Sequence, residues 1–152
     1  MFSESLKEGE IGEHVVWNIL QKHANIRSVI DVRQDKGFQE QDIDFLVENI
    51  HRQFFTIEVK TDFKAHETGN LVYELSSSGN IGCFERTQAK YIMYYIPASN
   101  VVHMIDVQEL RTYIHKVRPE ERLMGDNATG FLIPLLDLKR EKVITYTYKG
   151  VT

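Results

Sequence analysis

Two carboxylates and an ammonium group lie on two neighbouring segments that are predicted to be strands. Residues 41–47 and 54–60 contain β-branched and aromatic residues with polar residues at alternate positions, and residues 48–53 form a polar turn of hairpin length between them. The pattern predicts two neighbouring antiparallel strands. Because successive side chains point to opposite faces of a strand, Glu58 and Lys60 share one face.

Asp44 lies near the start of the first of these strands, where it can sit beside Glu58. Carboxylates at close range raise one another's pKa, and burial raises both pKa values, so the arrangement is costly without a cationic partner. A divalent cation reverses this effect, because it becomes the largest charge in the site. Hard oxygen ligands with open positions suit Mg²⁺. The simpler interpretation is an ion pair between Glu58 and Lys60 on a solvated strand face, with Asp44 as a turn residue.

A helix predicted over residues 3–24 adds a third acidic candidate. Its apolar residues recur at helical spacing and form the stripe expected to face the core: Ile11, Val15, Val16, Ile19 and Leu20. Glu13 lies off the centre of this stripe, where its carboxylate can reach a neighbouring site. Glu10 is the alternative donor, and a solvated glutamate on the helix surface is the simpler interpretation of Glu13.

The order of these residues resembles the PD-(D/E)XK nuclease superfamily, which includes restriction endonucleases and Holliday-junction resolvases. The resemblance rests on Gly12-Glu13 at the head of an amphipathic helix, on Asp44, and on Glu58-Val59-Lys60, and it covers roughly residues 8–96. It implies an α/β fold with a restriction-endonuclease-like core, in which a mixed central β-sheet is flanked by helices. Ile43 stands where the name-giving pattern has proline, which many members also lack.

The resemblance also implies a role for each of these residues. Asp44, Glu58 and the backbone carbonyl of Val59 are expected to coordinate Mg²⁺, for which Mn²⁺ can substitute. Lys60 is expected to orient the attacking water and to offset charge on the scissile phosphate. Glu13 is expected to complete the acidic cluster as a further metal ligand, directly or through water.

Several other side chains are alternatives or additions to this set. Asp42 is a rival for Asp44, which we prefer because the apolar run 45–47 follows it immediately. Glu74 lies in the middle of a predicted strand and ranks after the core carboxylates and Glu13 as a further acidic group. Two side chains on a predicted helix are candidates for contact with a phosphate: Gln88 and Lys90.

The implied function is metal-dependent hydrolysis of phosphodiester bonds in DNA, with an endonuclease of recombination, repair or restriction as the expected type. A homodimer is a possible assembly. The alternative is a catalytically inactive nuclease fold that binds nucleic acid or protein, although the intact Asp44, Glu58 and Lys60 set speaks against it. A generic α/β domain with an ion pair is a third hypothesis, and such a domain should bind no metal.

Length and composition limit these hypotheses. The 152 residues, of which 42% are hydrophobic, predict one domain over residues 1–152. A net charge of −4 disfavours a protein that coats DNA without sequence preference, because such binding depends on Lys and Arg. The single cysteine, Cys83, permits no intrachain disulfide, the first ten residues do not form a signal peptide, and no apolar run is long enough for a bilayer. We therefore expect a cytoplasmic protein without a membrane anchor.

The remaining elements complete the predicted fold. Further strands are predicted at 26–33, 71–75, 92–96 and 101–105, helices at 84–91 and 107–116, and loops at 34–41, 61–70 and 117–130. Asp106 is the expected N-cap of the second of these helices. Residues 132–136 and 143–148 are predicted to form an extra hairpin or edge strands. Tyr146 and Tyr148 in the last segment are candidates for base stacking or a dimer edge, with packing as the simpler interpretation.

Overall fold

The computed structural model describes residues 2–125 and 127–151, with the backbone alone for residues 2–6. The helices are α1 Phe2–Lys22, α2 Lys36–Glu40, α3 Ala65–Thr68, α4 Cys83–Arg86, α5 Val107–Val117 and α6 Leu135–Arg140, with a 3₁₀ turn at Pro97–Ser99. The strands are β1 Ile26–Asp31, β2 Phe45–Asn49, β3 Phe54–Thr61, β4 Asn70–Ser77, β5 Asn80–Ile81, β6 Tyr91–Ile96, β7 Val101–Asp106, β8 Arg122–Leu123, β9 Ala128–Pro134 and β10 Ile144–Lys149.

Six strands form a mixed sheet in the order β1-β2-β3-β6-β7-β10. All neighbours are antiparallel except β3 and β6, which run parallel. The predicted antiparallel pairing of β2 with β3 is confirmed, with Phe45 opposite Ile57 and Glu48 opposite Phe54. The predicted mixed sheet flanked by helices is confirmed as well.

One face of this sheet packs against α1. The apolar stripe of the helix buries Val15, Val16 and Leu20 in a cluster with strand residues that include Ile57 and Val59. Burial of such aliphatic side chains contributes roughly 1.5–3 kcal/mol each. The packing therefore fixes the helix that carries Glu13 against the strand that carries Glu58.

The other face is covered by a second sheet and two helices. This sheet has four strands in the order β5-β4-β9-β8. Its residues Leu71, Tyr73 and Ile133 are buried in one cluster with Leu110 of α5 and Leu138 of α6. The polypeptide leaves β3, forms α3, and enters this second sheet through β4 before it returns to β6, so the second sheet stands beside the end of β3 that carries Lys60.

The structure corrects the prediction for the C-terminal third. Residues 132–136 and 143–148 do not pair as a hairpin, because β9 lies between β4 and β8 in the second sheet whereas β10 pairs with β7 in the first. The alternative of edge strands is confirmed for β10 and is wrong for β9. The first segment is uniformly apolar and the second alternates between apolar or aromatic residues and threonine, and neither pattern specifies a partner strand. Pro134 is compatible with an interior strand here because it is the last residue of β9.

Short helices also replace two predicted loops. Residues 36–40 are helical because the Asp35 side chain accepts the N–H of Phe38 and caps the first turn. Residues 65–68 form one turn after Asp62, whose carboxylate accepts the N–H groups of Lys64 and Ala65. The helix predicted at 84–91 is shorter, since α4 ends at Arg86. None of the helices in the described ranges is long and apolar enough to cross a membrane.

Candidate functional site

Asp44 is anchored at the point where β2 begins. Its N–H donates to the carbonyl of Ile57 at 2.8 Å, and its Oδ2 accepts the N–H of Val59 at 2.7 Å. The regular β2–β3 pairing ends at Phe45 and Ile57, so the Val59 N–H lies beyond it and takes a side-chain acceptor instead. The carboxylate of Asp44 is therefore fixed against the edge of β3.

Glu58 and Lys60 lie on the same face of β3, as their spacing predicts. Lys60 Nζ is 3.2 Å from Glu58 Oε1. Glu58 is only 5% exposed, and its second oxygen, Oε2, is buried without a hydrogen-bond partner in the described part of the chain. A buried carboxylate oxygen without a donor costs about 1–3 kcal/mol or more. The site therefore lacks one positive or hydrogen-donating partner at this atom.

The electrostatics of the site follow from burial. Burial raises the pKa of Asp44 to about 7, with further increases from the charges of Glu13 and Glu58, while the Val59 N–H and Lys60 oppose the rise. Burial likewise raises the pKa of Glu58, and Lys60 opposes that rise. Burial is the largest single influence on Lys60 and lowers its pKa, but the charges of Glu58, Cys83 and Asp44 and the hydrogen bond to Glu58 together raise the pKa above its usual value. Lys60 is thus protonated and lies beside two carboxyl groups, Asp44 and Glu58, whose pKa values are raised.

Glu13 approaches the site from α1 but is bound by an arginine. Its Oε2 is 2.6 Å from Arg33 Nη1, and Nη2 of the same guanidinium is 2.7 Å from Asp31 Oδ2. The Arg33 guanidinium also lies 5.6 Å from the centroid of the Phe45 ring. Sequence reasoning did not single out Arg33. The available signal was an Asp-x-Arg at the end of β1, directly before the loop that leads to Asp44.

Two further residues near the site, Asp42 and Thr87, have different surroundings. Asp42 Oδ2 is 2.6 Å from Arg86 Nε, so its charge is neutralised by an ion pair. Thr87, which sequence reasoning also missed, is almost fully buried, and its hydroxyl helps to lower the pKa of Glu58. No sequence pattern indicates a role for Thr87, because threonine is common after short helices.

The remaining candidates surround the site to different degrees. Glu74 lines a concavity together with Lys60 and therefore stands next to the predicted site. The side chain of Gln88 is exposed, and Glu10 is exposed on α1. Lys90 Nζ pairs with Asp106 Oδ2 at 2.8 Å, and Lys90 lines a different concavity from Lys60.

The donor set fits a hard cation that keeps open positions. Among the described residues, no three His, Cys, Asp or Glu side chains converge as a metal cluster. Asp44 and Glu58 provide two carboxylates, and the Val59 carbonyl points to the same strand edge as its N–H, which binds Asp44. Mg²⁺ is commonly bound through one or two carboxylates with waters and phosphate, whereas Zn²⁺ sites use Cys and His. The partnerless Glu58 Oε2 agrees with an oxygen-ligated cation.

Two concavities flank these residues. One of about 1200 Å³ lies on the α1 side and reaches Asp44, with Glu13 and Arg33 in its wall. The other, of about 490 Å³, lies on the β4 side and is lined by Lys60 and Lys64 among others. The acid and lysine side chains therefore stand between two open spaces, which leaves room for a polymer on either side of the site.

Comparison of the chain with protein-family models, with curated proteins and with solved structures gave no match. The resemblance to PD-(D/E)XK nucleases therefore stays a prediction from the sequence. Fold and site together define a mixed α/β protein with a partly buried Asp–Glu–Lys constellation at one end of its central sheet.

Proposed function

We propose that the protein is a metal-dependent nuclease of the PD-(D/E)XK type that hydrolyses phosphodiester bonds in DNA as an endonuclease. The observation that carries the proposal is the buried Glu58 carboxylate with one partnerless oxygen, next to Asp44 and Lys60. A restriction-endonuclease-like core is part of the proposal. It is supported by the antiparallel β2–β3 pair and the parallel β3–β6 pair, which place the Glu58 strand inside a mixed sheet.

Mg²⁺ or Mn²⁺ would be held by Asp44, Glu58 and the Val59 carbonyl, with Glu13 as a further ligand directly or through water. When bound, such an ion lowers the pKa of water and neutralises charge on a scissile phosphate. The DNA, a possible homodimer and the role in recombination, repair or restriction belong to the same proposal.

The protein's own residues prepare the site in three ways. The Val59 N–H holds the Asp44 carboxylate in one orientation, so little reorganisation is needed when a cation binds. Glu58 holds Lys60 by an ion pair, which positions the ammonium group on the side of the acids. Lys60 can donate to a phosphate oxygen or to the attacking water, and its positive charge stabilises the charge that develops on the phosphate.

Incubation of the protein with DNA tests this proposal. Single-stranded, duplex, branched and supercoiled DNA are incubated with Mg²⁺, Mn²⁺ or EDTA, and products are resolved on gels. We expect metal-dependent cleavage that EDTA abolishes and that Lys60→Ala slows by at least about 100-fold, as for loss of a positioned charge stabiliser. Lys116→Ala, a change at an exposed lysine of α5 away from the site, is the matched control and should retain most of the activity.

The folding of the Lys60→Ala variant needs its own measurement. Removal of the ammonium leaves the buried Glu58 carboxylate without its partner, and such broken pairs are destabilising. Thermal unfolding of the variant, and of Lys60→Ala combined with Glu58→Gln, shows whether lost activity reflects lost structure. A folded wild-type protein that cleaves none of the DNA forms in either metal would contradict the proposal.

A nuclease fold that binds nucleic acid or protein without cutting is the second candidate. The ion pair between Glu13 and Arg33 favours it, because this pair neutralises the acidic residue of α1 without a metal ion. Such a module would bind its partner equally well in EDTA and after Lys60→Ala. This result separates the two functions in the same experiment.

A further inference from the structure

A groove lined by aromatic rings lies on the sheet beyond the C-terminal end of α1. It has a volume of about 680 Å³ and sits at the start of β3, whereas the candidate site sits at the end of this strand. Its lining includes the rings of Phe54, Phe55, Tyr91 and Tyr148. Phe54 is 61% exposed, although aromatic side chains of this size bury much surface when they pack in a core.

A second concavity of about 550 Å³ continues the first. The two share His23 and Tyr148, whose rings meet edge to face with centroids 6.2 Å apart. The second concavity adds Tyr146, which is 58% exposed and lies 4.6 Å from Tyr148 between ring centroids, together with Lys22 and Lys149. We call this continuous surface, from Phe54 to Lys149, the aromatic groove.

The charge of the aromatic groove is opposite to that of the whole chain. The chain has 22 acidic and 18 basic residues, yet no Asp or Glu lines either concavity in the part of the chain that the structure describes. Lys90 is neutralised by Asp106, but Lys22 and Lys149 make no ion pair with any described residue. The unpaired charge of the groove is therefore positive, which suits an anionic ligand.

Polar side chains complete the chemistry of the groove. Asn25 and Gln53 line it next to the aromatic rings, whereas the carboxamide of Asn49 is engaged in the β2–β3 turn by His51 and Gln53. Carboxamides provide both hydrogen-bond donors and acceptors, as the edges of nucleobases require. Aromatic rings that alternate with cations and amides form the type of surface on which unpaired bases stack while lysines contact the phosphates.

We propose that the aromatic groove binds a single-stranded segment of DNA, with bases stacked on Phe54, Tyr146 and Tyr148 and phosphates near Lys22 and Lys149. Single strands are favoured over duplex because the faces of paired bases are already stacked on one another. The choice of DNA over RNA rests on the proposed function, whereas the stacking surface does not depend on it. Phe54 and Lys60 are six positions apart on β3, which corresponds to about 20 Å, so the groove is distinct from the cleavage site.

Fluorescence anisotropy of labelled oligonucleotides tests the proposal without any cleavage. Wild-type protein in EDTA is titrated into an oligothymidylate of about 20 nucleotides, an RNA of equal length and a duplex. We expect the single-stranded DNA to bind most tightly. Phe54→Ala and Tyr146→Ala should each weaken that binding by at least about fivefold, the lower end for loss of one stacking partner.

Exposed residues elsewhere provide matched controls. Leu136 on α6 is 77% exposed, so Leu136→Ala removes apolar surface without touching the groove and should leave the affinity unchanged. Lys149→Ala should reduce the slope of log Kd against log salt by about 0.7, whereas Lys116→Ala on α5 should not. All these side chains are exposed, so the variants should fold as the wild type does.

Several results would overturn the proposal. These are duplex or RNA binding as tight as single-stranded DNA, and full affinity in Phe54→Ala and Tyr146→Ala. A third is self-association of the wild type that Tyr146→Ala abolishes without any DNA binding, which would identify β10 as a dimer edge. Because the titration is done in EDTA, failure of the groove proposal leaves metal-dependent cleavage untouched, and failure of cleavage leaves the binding result interpretable.

Discussion

The Asp44 carboxyl group is an acid that titrates near neutral pH. Burial disfavours its charged form and raises its pKa to about 7, and the neighbouring Glu13 and Glu58 charges act in the same direction. The folded protein therefore binds a proton at Asp44 over a pH range in which the unfolded chain has released it. A cation that binds here must displace this proton.

This shift predicts how stability changes with pH. Above a pH of about 4, Asp44 is ionised in the unfolded chain but stays protonated in the folded chain. Its contribution to the stability of the wild type therefore falls as the pH rises to about 7, and then levels off. Asp44→Asn, which keeps an acceptor for Val59, removes the effect. In EDTA the variant should gain stability over the wild type across this interval, by roughly 1–3 kcal/mol at pH 8.

Urea unfolding of both proteins between pH 4.5 and 8.5 measures the difference. Asp42→Asn is the matched control, because it breaks the ion pair with Arg86 and should lower stability at pH 8. A stability difference between wild type and Asp44→Asn that does not change with pH would show that Asp44 has an ordinary pKa.

The relative placement of the candidate site residues could be predicted from the sequence, but the residues that bind to their side chains could not. Spacing on two predicted strands was enough to place Glu58 and Lys60 on one face, and the structure brings both close to Asp44. Arg33 and Thr87 were missed because each acts on an acid far away in sequence. Such contacts depend on how α1 and α4 pack, which no local pattern specifies.

At the scale of elements, α1 packs closely against β3 at Gly12. A Cβ at Gly12 would lie 1.9 Å from Oγ1 and 3.3 Å from Cβ of Thr61. Only a residue without a side chain lets the helix approach the strand this closely. The glycine directly before Glu13 is thus explained by packing, and this packing sets the distance of Glu13 from the acids on the sheet.

Gly12→Ala should therefore destabilise the protein by about 1–3 kcal/mol, since the added methyl forces α1 away from β3. Gly9→Ala on the same helix is the matched control, because nothing lies within 4 Å of a Cβ there, and it should be neutral or stabilising by up to about 1 kcal/mol. Thermal unfolding measures both changes. Thr61→Ala should recover part of the loss in Gly12→Ala, and equal melting temperatures for wild type and Gly12→Ala would contradict the packing argument.

The longer elements and the pairing of sequence neighbours β2 and β3 were predicted, whereas the short helices α2 and α3 and the partners of β9 and β10 were not. The capped helix α5 begins where Asp106 predicts, and its carboxylate accepts the Glu109 N–H at 3.0 Å. The segments of β9 and β10 were predicted to form a hairpin or edge strands; they enter different sheets, and only β10 lies at an edge. The polarity pattern of a strand does not determine its partner, because both sheets contribute apolar residues to the same core cluster.

For the whole molecule, the net charge gives no information on where the charged residues lie. The value of −4 argued against binding to nucleic acid along the entire surface. The fold instead separates the charges. The acids Asp44, Glu58 and Glu13 lie together at one end of the sheet, while no Asp or Glu among the described residues lines the aromatic groove at the other end. Sequence composition gives only the sum, because the separation is produced by the fold.

Binding of Mn²⁺ to protein freed of metal by EDTA and dialysis tests the central claim, that Asp44 and Glu58 form a divalent-cation site. Calorimetric titration of wild type, Asp44→Asn, Glu58→Gln and Asp42→Asn compares the site with its nearest rival. We predict saturable binding to wild type and Asp42→Asn, and an affinity at least about tenfold weaker in the other two variants. No binding to the wild type, or equal affinity in wild type and Asp44→Asn, would contradict the claim.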